Sequence, residues 1–136
     1  MSAPQRVVIT AGGAGIGLAL ALAFHATGAR VAVCDIDADA IAELARIEPE
    51  IMGRVANVTN ADDMAAFLSD VDAAFGGVDT ALANAGTGGP AGPIENLELD
   101  DWRACISANL DGAFLLCQWA AKHMKTQGSG SIILTS

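Results

Sequence analysis

Arg6-Val7-Val8-Ile9-Thr10-Ala11-Gly12-Gly13-Ala14-Gly15-Ile16-Gly17 is the stretch whose reading decides the fold. A short apolar run, Val7 to Ile9, stops at Thr10, four of the next seven residues are glycine, and an apolar helix-forming run, Leu18 to Phe24, follows at once. The pattern predicts a strand, a tight loop and a helix. Glycines let the backbone approach a ligand closely, and a helix beginning just behind them points unpaired N–H groups and a partial positive charge at that ligand. A pyrophosphate group fits such a place.

Beyond this unit, strand-like and helix-like segments alternate. Gly28 ends the first helix, and Arg30 to Cys34 reads as a second buried strand closed by Asp35. Asp37 caps a short helix over Ala38 to Arg46, and Pro49 separates it from a weaker third strand, Ile51 to Ala56. Thr59-Asn60-Ala61-Asp62 has the form of a capping box, with Met64, Phe67, Leu68, Val71 and Phe75 on one helical face behind it and Gly76-Gly77 as the stop. Val78 to Ala83 makes a fourth strand, followed by Asn84-Ala85-Gly86 and a Gly- and Pro-rich loop to about Pro93. One long helix is predicted over Trp102 to Lys125, with Lys122, His123 and Lys125 at the end its dipole favours, and a fifth strand over Ser131 to Ser136.

The strands are continuous apolar runs more than alternating ones, which implies a parallel sheet covered on both faces. The expected architecture is therefore α/β: a Rossmann-type doubly wound parallel sheet in three layers, α/β/α, incomplete at its C-terminal side, with residues 1–136 forming a single domain. Ligands of such sheets bind at the carboxyl ends of the strands. Thr10 to Gly17, Asp35, Asn57, Asn84 to Gly86 and Thr135-Ser136 all directly follow strands, so they should line one edge. Asp35 lies where a dinucleotide fold places an acid to accept hydrogen bonds from the adenosine ribose. Each such charged bond contributes roughly 1.5–3 kcal/mol, and the same carboxylate repels a 2′-phosphate. Neither the glycine loop nor Ile36 and Asp37 supplies an Arg or Lys to reverse that preference. NAD, rather than NADP, is the expected cofactor.

Composition narrows the partners. A net charge of −9 and a pI near 4.3, with no Lys/Arg cluster, argue against a surface for nucleic acid or anionic membrane. Apolar segments are interrupted before membrane-spanning length, and Met1 to Arg6 lacks a signal-peptide core, so a cytoplasmic protein is expected. Cys34, Cys105 and Cys117 form no CxxC pair and no ligand spacing with His25 and His123. They read as reduced and mostly buried, and no metal site is expected.

These motifs together resemble the short-chain dehydrogenase/reductase family. Its T-G-x-x-x-G-I-G element stands here as Thr10-Ala11-Gly12-Gly13-Ala14-Gly15-Ile16-Gly17, with Ala11 in place of the first glycine. If the loop requires a left-handed backbone there, alanine costs roughly 1–2 kcal/mol. The resemblance implies cofactor contacts from Thr10, Gly12, Ala14, Gly15, Ile16 and Gly17, from Asp35 and Ile36 at the adenosine ribose, and from Asn57 and Val58 at the adenine. The family has an aspartate where Asn57 stands, and an amide can still make a polar contact with the adenine amino group. Asn84-Ala85-Gly86 matches the family's N-A-G element beside the cofactor. Asn109, in S-A-N-L-D-G-A-F, matches the tetrad asparagine that helps to bind a water of the proton relay. Read without the resemblance, Asn109 is an ordinary helix residue. Gly130 to Ser136 matches the strand that delivers the catalytic serine. Ser136 is a candidate for that serine, and the residue after it is the alternative.

The family's acid/base tyrosine, in Y-x-x-x-K, has no counterpart in a sequence with no tyrosine. The implied function is an NAD-dependent oxidoreductase moving hydride between nicotinamide and a secondary alcohol or ketone, with the Tyr-Lys pair beyond residue 136. On this reading the chain is the N-terminal part of a longer polypeptide, inactive alone, the remainder of which would be a separate segment. A non-catalytic dinucleotide-binding module, a sensor or assembly subunit, is the alternative. A methyltransferase using S-adenosylmethionine would more naturally carry an acid where Thr10 stands, and a P-loop NTPase is excluded by the lack of G-K-[ST]. Phe114, Leu115, Leu116, Trp119 and Met124 give the long helix more apolar surface than one sheet face needs. The family commonly pairs this helix between subunits, which implies a homo-oligomer, dimer or tetramer, through residues 102–125.

Overall fold

Five parallel strands and five α-helices, alternating except for two successive helices between the fourth and fifth strands, build a computed structural model that describes residues 2–136. Strands β1 (Arg6–Thr10), β2 (Arg30–Asp35), β3 (Met52–Val55), β4 (Thr80–Ala83) and β5 (Ser131–Leu134) form one sheet in the order β3-β2-β1-β4-β5. Helices α1 (Gly15–Ala26), α2 (Ala38–Ile47), α3 (Ala61–Phe75), α4 (Leu99–Ile106) and α5 (Gly112–Gln127) connect them. The order reverses between β1 and its two neighbours, which puts a crevice above the carboxyl end of β1.

Neighbouring strand residues serve opposite faces. Val7, Ile9, Val31 and Val33 pack with Ala21, Ile41 and Leu44 of α1 and α2. Val8, Ala32 and Cys34 pack with Met64, Phe67 and Val71 of α3 and Leu116 of α5. Both faces of the central strands are thus dry, which is why their sequences read as unbroken apolar runs. β5, by contrast, is an edge strand, and Ile132, Ile133 and Leu134 are all exposed.

Helix ends follow local chemistry. Asp37 accepts from the N–H groups of Asp39 and Ala40 at the start of α2, and Gly76 closes α3 in the left-handed conformation. The cap of α3 falls one residue later than the sequence pattern predicts. Asn60 Oδ1 accepts from the Asp63 N–H at 3.0 Å, leaving Thr59 free to join the turn before it. The predicted single helix over 102–125 also differs. It starts at Leu99, ends at Gln127, and is interrupted at Ser107–Asp111 by a wider π turn. No helix among the described residues is long and apolar enough to cross a membrane. His123, expected at the helix end for its dipole, instead meets Asp72 Oδ1 at 2.7 Å, where Trp119 Nε1 also donates at 3.0 Å.

At the amino ends of the strands, Arg6 grips Asp79 with two guanidinium hydrogen bonds of 3.0 Å, and the Arg6 backbone N–H adds a third at 2.8 Å. Gln127 joins this group through Arg6 Nη2 and both backbone polar groups of Val78. The Arg6 hydrogen bonds hold the Asp79 carboxyl below its ordinary range. Because that pKa is depressed, the contribution of Asp79 to stability is complete above about pH 4, the unfolded value, and is lost as pH falls through the folded one. The hydrogen bond to Asp79 shifts the Arg6 guanidinium pKa upward, so its share is lost only at strongly alkaline pH. Asp79→Asn is expected to destabilise the fold by about 1–2 kcal/mol at pH 7 and by much less at pH 3. Urea unfolding at the two pH values checks this, and an equal loss at both would contradict it.

Candidate functional site

The glycine loop leaves β1 at Thr10, whose side chain is buried. Its hydroxyl oxygen accepts the N–H groups of both Asn84 and Ala85 at 3.0 Å. Asn84 returns the contact, donating Nδ2 to the carbonyls of Thr10 at 3.2 Å and Ala11 at 3.4 Å, and its Oδ1 accepts from the Thr135 hydroxyl at 3.4 Å. The carboxyl ends of β1, β4 and β5 are thereby tied together. A Cβ on Gly17 would lie 2.0 Å from the Ala11 carbonyl oxygen and 2.7 Å from Asn84 Nδ2, so only glycine lets α1 start this close to the loop.

Two cavities open above this knot. The larger, about 840 Å³, is lined by Ala14, Gly15, Ile16 and Gly17 on one side, by Asn84, Ala85, Gly86 and Thr87 on the other, and by Asn109, Thr135 and Ser136. The smaller, about 170 Å³, is lined by Ile36, Asn57, Val58, Thr59 and Ala108. Ala11, Asp35, Ala85 and Gly86 line both, so the two are continuous at Asp35. All but two of the residues expected at the site meet around this crevice. The exceptions are Thr10, which acts from below, and Gly12, which lies against the Val33 side chain and whose N–H donates to the Cys34 carbonyl at 3.1 Å.

The crevice has the chemistry of a dinucleotide cradle. α1 begins at Ala14 with no side chain capping it, and its first intrahelical bond is Leu18 N–H to the Ala14 carbonyl. The N–H groups of Gly15, Ile16 and Gly17 and the helix dipole face the larger cavity without a competing acceptor, as a diphosphate requires. Asp35 is the charged side chain where the cavities join, its oxygens accepting the Gly13 and Asp37 N–H groups at 3.0 Å. Burial pushes the neighbouring Cys34 thiol up to about 12, which leaves it protonated and inert. Cys105 and Cys117, expected to be mostly buried, are only partly so. Among the described residues, no group of three His, Cys, Asp or Glu side chains is placed to hold a metal ion.

Asn109 sits inside the π turn. Its amide pairs with the backbone of Thr87 in both directions, Nδ2 to the carbonyl and Oδ1 from the N–H, each at 2.8 Å, and Nδ2 also reaches Cys105 Sγ at 3.2 Å. Interrupted helices of this kind recur at functional sites because the extra residue redirects a side chain. Nothing in the local composition of Ser107–Asp111 announces it. Thr87, which the sequence marks only as the start of the Gly- and Pro-rich loop, is the residue that Asn109 holds.

The fold and its cradle define a doubly wound nucleotide-binding protein of the Rossmann type. The family model for short chain dehydrogenases matches residues 5–136. A cis-4-hydroxycyclohexanecarboxylate dehydrogenase from Sinomonas cyclohexanicum is 33% identical over 98% of this chain and 55% of its own length. A D-threitol dehydrogenase from Mycolicibacterium smegmatis is 35% identical over 93% of this chain and 50% of its own. A solved 3-ketoacyl-ACP reductase from Sinorhizobium meliloti superposes with a TM-score of 0.88 at 30% identity, over 97% of this chain and 53% of that one. The chain belongs to the short-chain dehydrogenase/reductase family, and it spans about half the length of the relatives it matches.

The structure also decides the question left at Ala11. Its φ is +53°, so the loop does use a left-handed backbone at this non-glycine residue. That geometry costs alanine roughly 1–2 kcal/mol, against about 0.4–1 kcal/mol for the extra unfolded-state freedom of glycine. Ala11→Gly is therefore expected to stabilise the protein by about 0.5–1 kcal/mol, the reverse of the usual sign for this substitution. The urea midpoint measures it, and a lower midpoint would show that the loop holds alanine without strain.

Proposed function

We propose that this chain is the cofactor-binding part of an NAD-dependent oxidoreductase that moves hydride between nicotinamide and a secondary alcohol or ketone. The observation that carries the reading is the Asp35 carboxylate at the join of the two cavities, with no Lys or Arg lining either one. The bound dinucleotide supplies the hydride acceptor or donor. The N-terminal amides of α1 hold its diphosphate, and Asp35 accepts from a ribose diol and repels a 2′-phosphate. Asn109 and Ser136 also line the larger cavity, Asn109 with its amide fixed on Thr87 and Ser136 exposed. The acid/base Tyr-Lys pair is assigned to residues beyond Ser136, and residues 1–136 alone are expected to be inactive. The relatives' names, a hydroxycyclohexanecarboxylate dehydrogenase, a threitol dehydrogenase and a ketoacyl reductase, support an alcohol/ketone couple.

Fluorescence titration separates the cofactors. NADH is expected to bind at least tenfold more tightly than NADPH, and Asp35→Ser to narrow that ratio to a few-fold, by loss of a charged hydrogen bond and of phosphate repulsion. Equal or tighter binding of NADPH by the unaltered protein would overturn the NAD assignment. Binding of NADH without turnover of any alcohol or ketone by the intact protein would move it to the non-catalytic class.

The same reading includes a cytoplasmic homo-oligomer, dimer or tetramer. Trp102, Ile106, Leu110 and Phe114 recur every fourth residue along α4, the π turn and α5 and are 53%, 39%, 62% and 59% exposed. A continuous apolar stripe of this kind marks an interaction surface. Leu110→Arg is expected to yield a monomer in sedimentation equilibrium. A monomeric unaltered protein would contradict the assignment.

A further inference from the structure

The smaller cavity carries a specificity of its own, set by how Asn57 uses its amide. Its walls at Ile36, Ala56, Val58 and Ala108 are apolar, and its polar side chains are Asp35, Asn57 and Thr59. Asn57 Oδ1 accepts the Thr59 N–H at 2.9 Å and the Thr59 hydroxyl at 2.8 Å. A backbone N–H can only donate, so this bond fixes which end of the amide is oxygen. Both lone pairs of that oxygen are engaged inside the turn.

What Asn57 has left is a donor. Among the described residues, Asn57 Nδ2 has no hydrogen-bond partner. The nearby carboxylate of Asp63 accepts the Asn57 backbone N–H at 3.0 Å and does not line this cavity. Asp35 already accepts one N–H on each oxygen, from Gly13 and Asp37. Thr59 uses its hydroxyl proton on Asn57. The side chain beside the apolar walls therefore offers N–H groups, and the one carboxylate lining this cavity, Asp35, gives its remaining lone pairs to the ribose on the proposed reading.

We propose that Asn57 makes the base subsite indifferent to the substituent at purine C6, so that the protein accepts a 6-oxopurine dinucleotide about as well as the 6-amino form. The inference rests on the reading that a nicotinamide dinucleotide lies across the two cavities. An N–H donor opposite C6 favours a carbonyl oxygen and repels an amino group. This offsets whatever preference the cavity shape has for adenine.

The test compares NADH with reduced nicotinamide hypoxanthine dinucleotide by fluorescence titration, on the intact protein and on Asn57→Asp. In the unaltered protein the two dissociation constants are expected within about threefold of each other. Asn57→Asp keeps one oxygen for Thr59 and puts an acceptor in place of Nδ2, so the ratio should move toward NADH by about tenfold or more, the worth of one charge-assisted hydrogen bond. A tenfold preference for NADH in the unaltered protein, or an unchanged ratio in Asn57→Asp, would overturn the inference and leave the dinucleotide reading intact. Failure of both ligands to bind the unaltered protein would overturn both.

Discussion

One side chain, Thr10, holds the crevice together. Its hydroxyl receives the amides of Asn84 and Ala85, and the Asn84 amide in turn secures the carbonyls of Thr10 and Ala11. An unpartnered buried amide costs about 1–3 kcal/mol, so satisfying this pair outweighs the strain of roughly 1–2 kcal/mol at Ala11. The order of magnitudes explains why the loop tolerates a non-glycine residue at φ +53°. The knot sets where the loop runs, and the residue in the strained position follows.

A second clamp faces the first. Asn109 grips the Thr87 backbone, and Gly112 lets α5 lie against Val58, where a Cβ would come within 2.9 Å of that side chain. The π turn lies between these two contacts and supplies the extra length that satisfies both. Val58 and Ala108 line the smaller cavity, and Thr87 and Asn109 the larger. One irregular turn thus shapes both halves of the crevice.

Most of the architecture was legible because its causes are local. Val7 to Ile9 and Val31 to Cys34 had to be in strands covered on both faces, and both runs are fully packed. Asp37 and Gly76 announced helix ends by side-chain oxygen and by backbone freedom. The candidate residues of the crevice were legible for a related reason: they directly follow strands, and a parallel sheet brings such positions to one edge. What escaped the sequence depends on partners far away in the chain. The partners of the Thr10 hydroxyl, Asn84 and Ala85, lie more than seventy residues on. The π turn has no compositional mark, because it answers to Thr87 and Val58. The cap at Asn60 was misplaced by one residue because Thr59 and Asn60 are both good caps, and Asn57 draws Thr59 into its own turn.

The placement of β1 has a consequence for how the chain assembles. β1 is synthesised well before β4, yet it is flanked by β2 on one side and by β4 on the other, Val7 pairing with both Val31 and Thr80. Closing that second ladder fixes an intervening loop of some seventy residues, and long loops must be ordered before their contacts stabilise anything. Until β4 arrives, β1 has one open edge of unpaired backbone, and the knot at Thr10 lacks its partners. The floor of the crevice is therefore assembled only once the segment Thr80 to Ala85 has arrived, and a nascent chain shorter than that holds a glycine loop that is not yet a binding site.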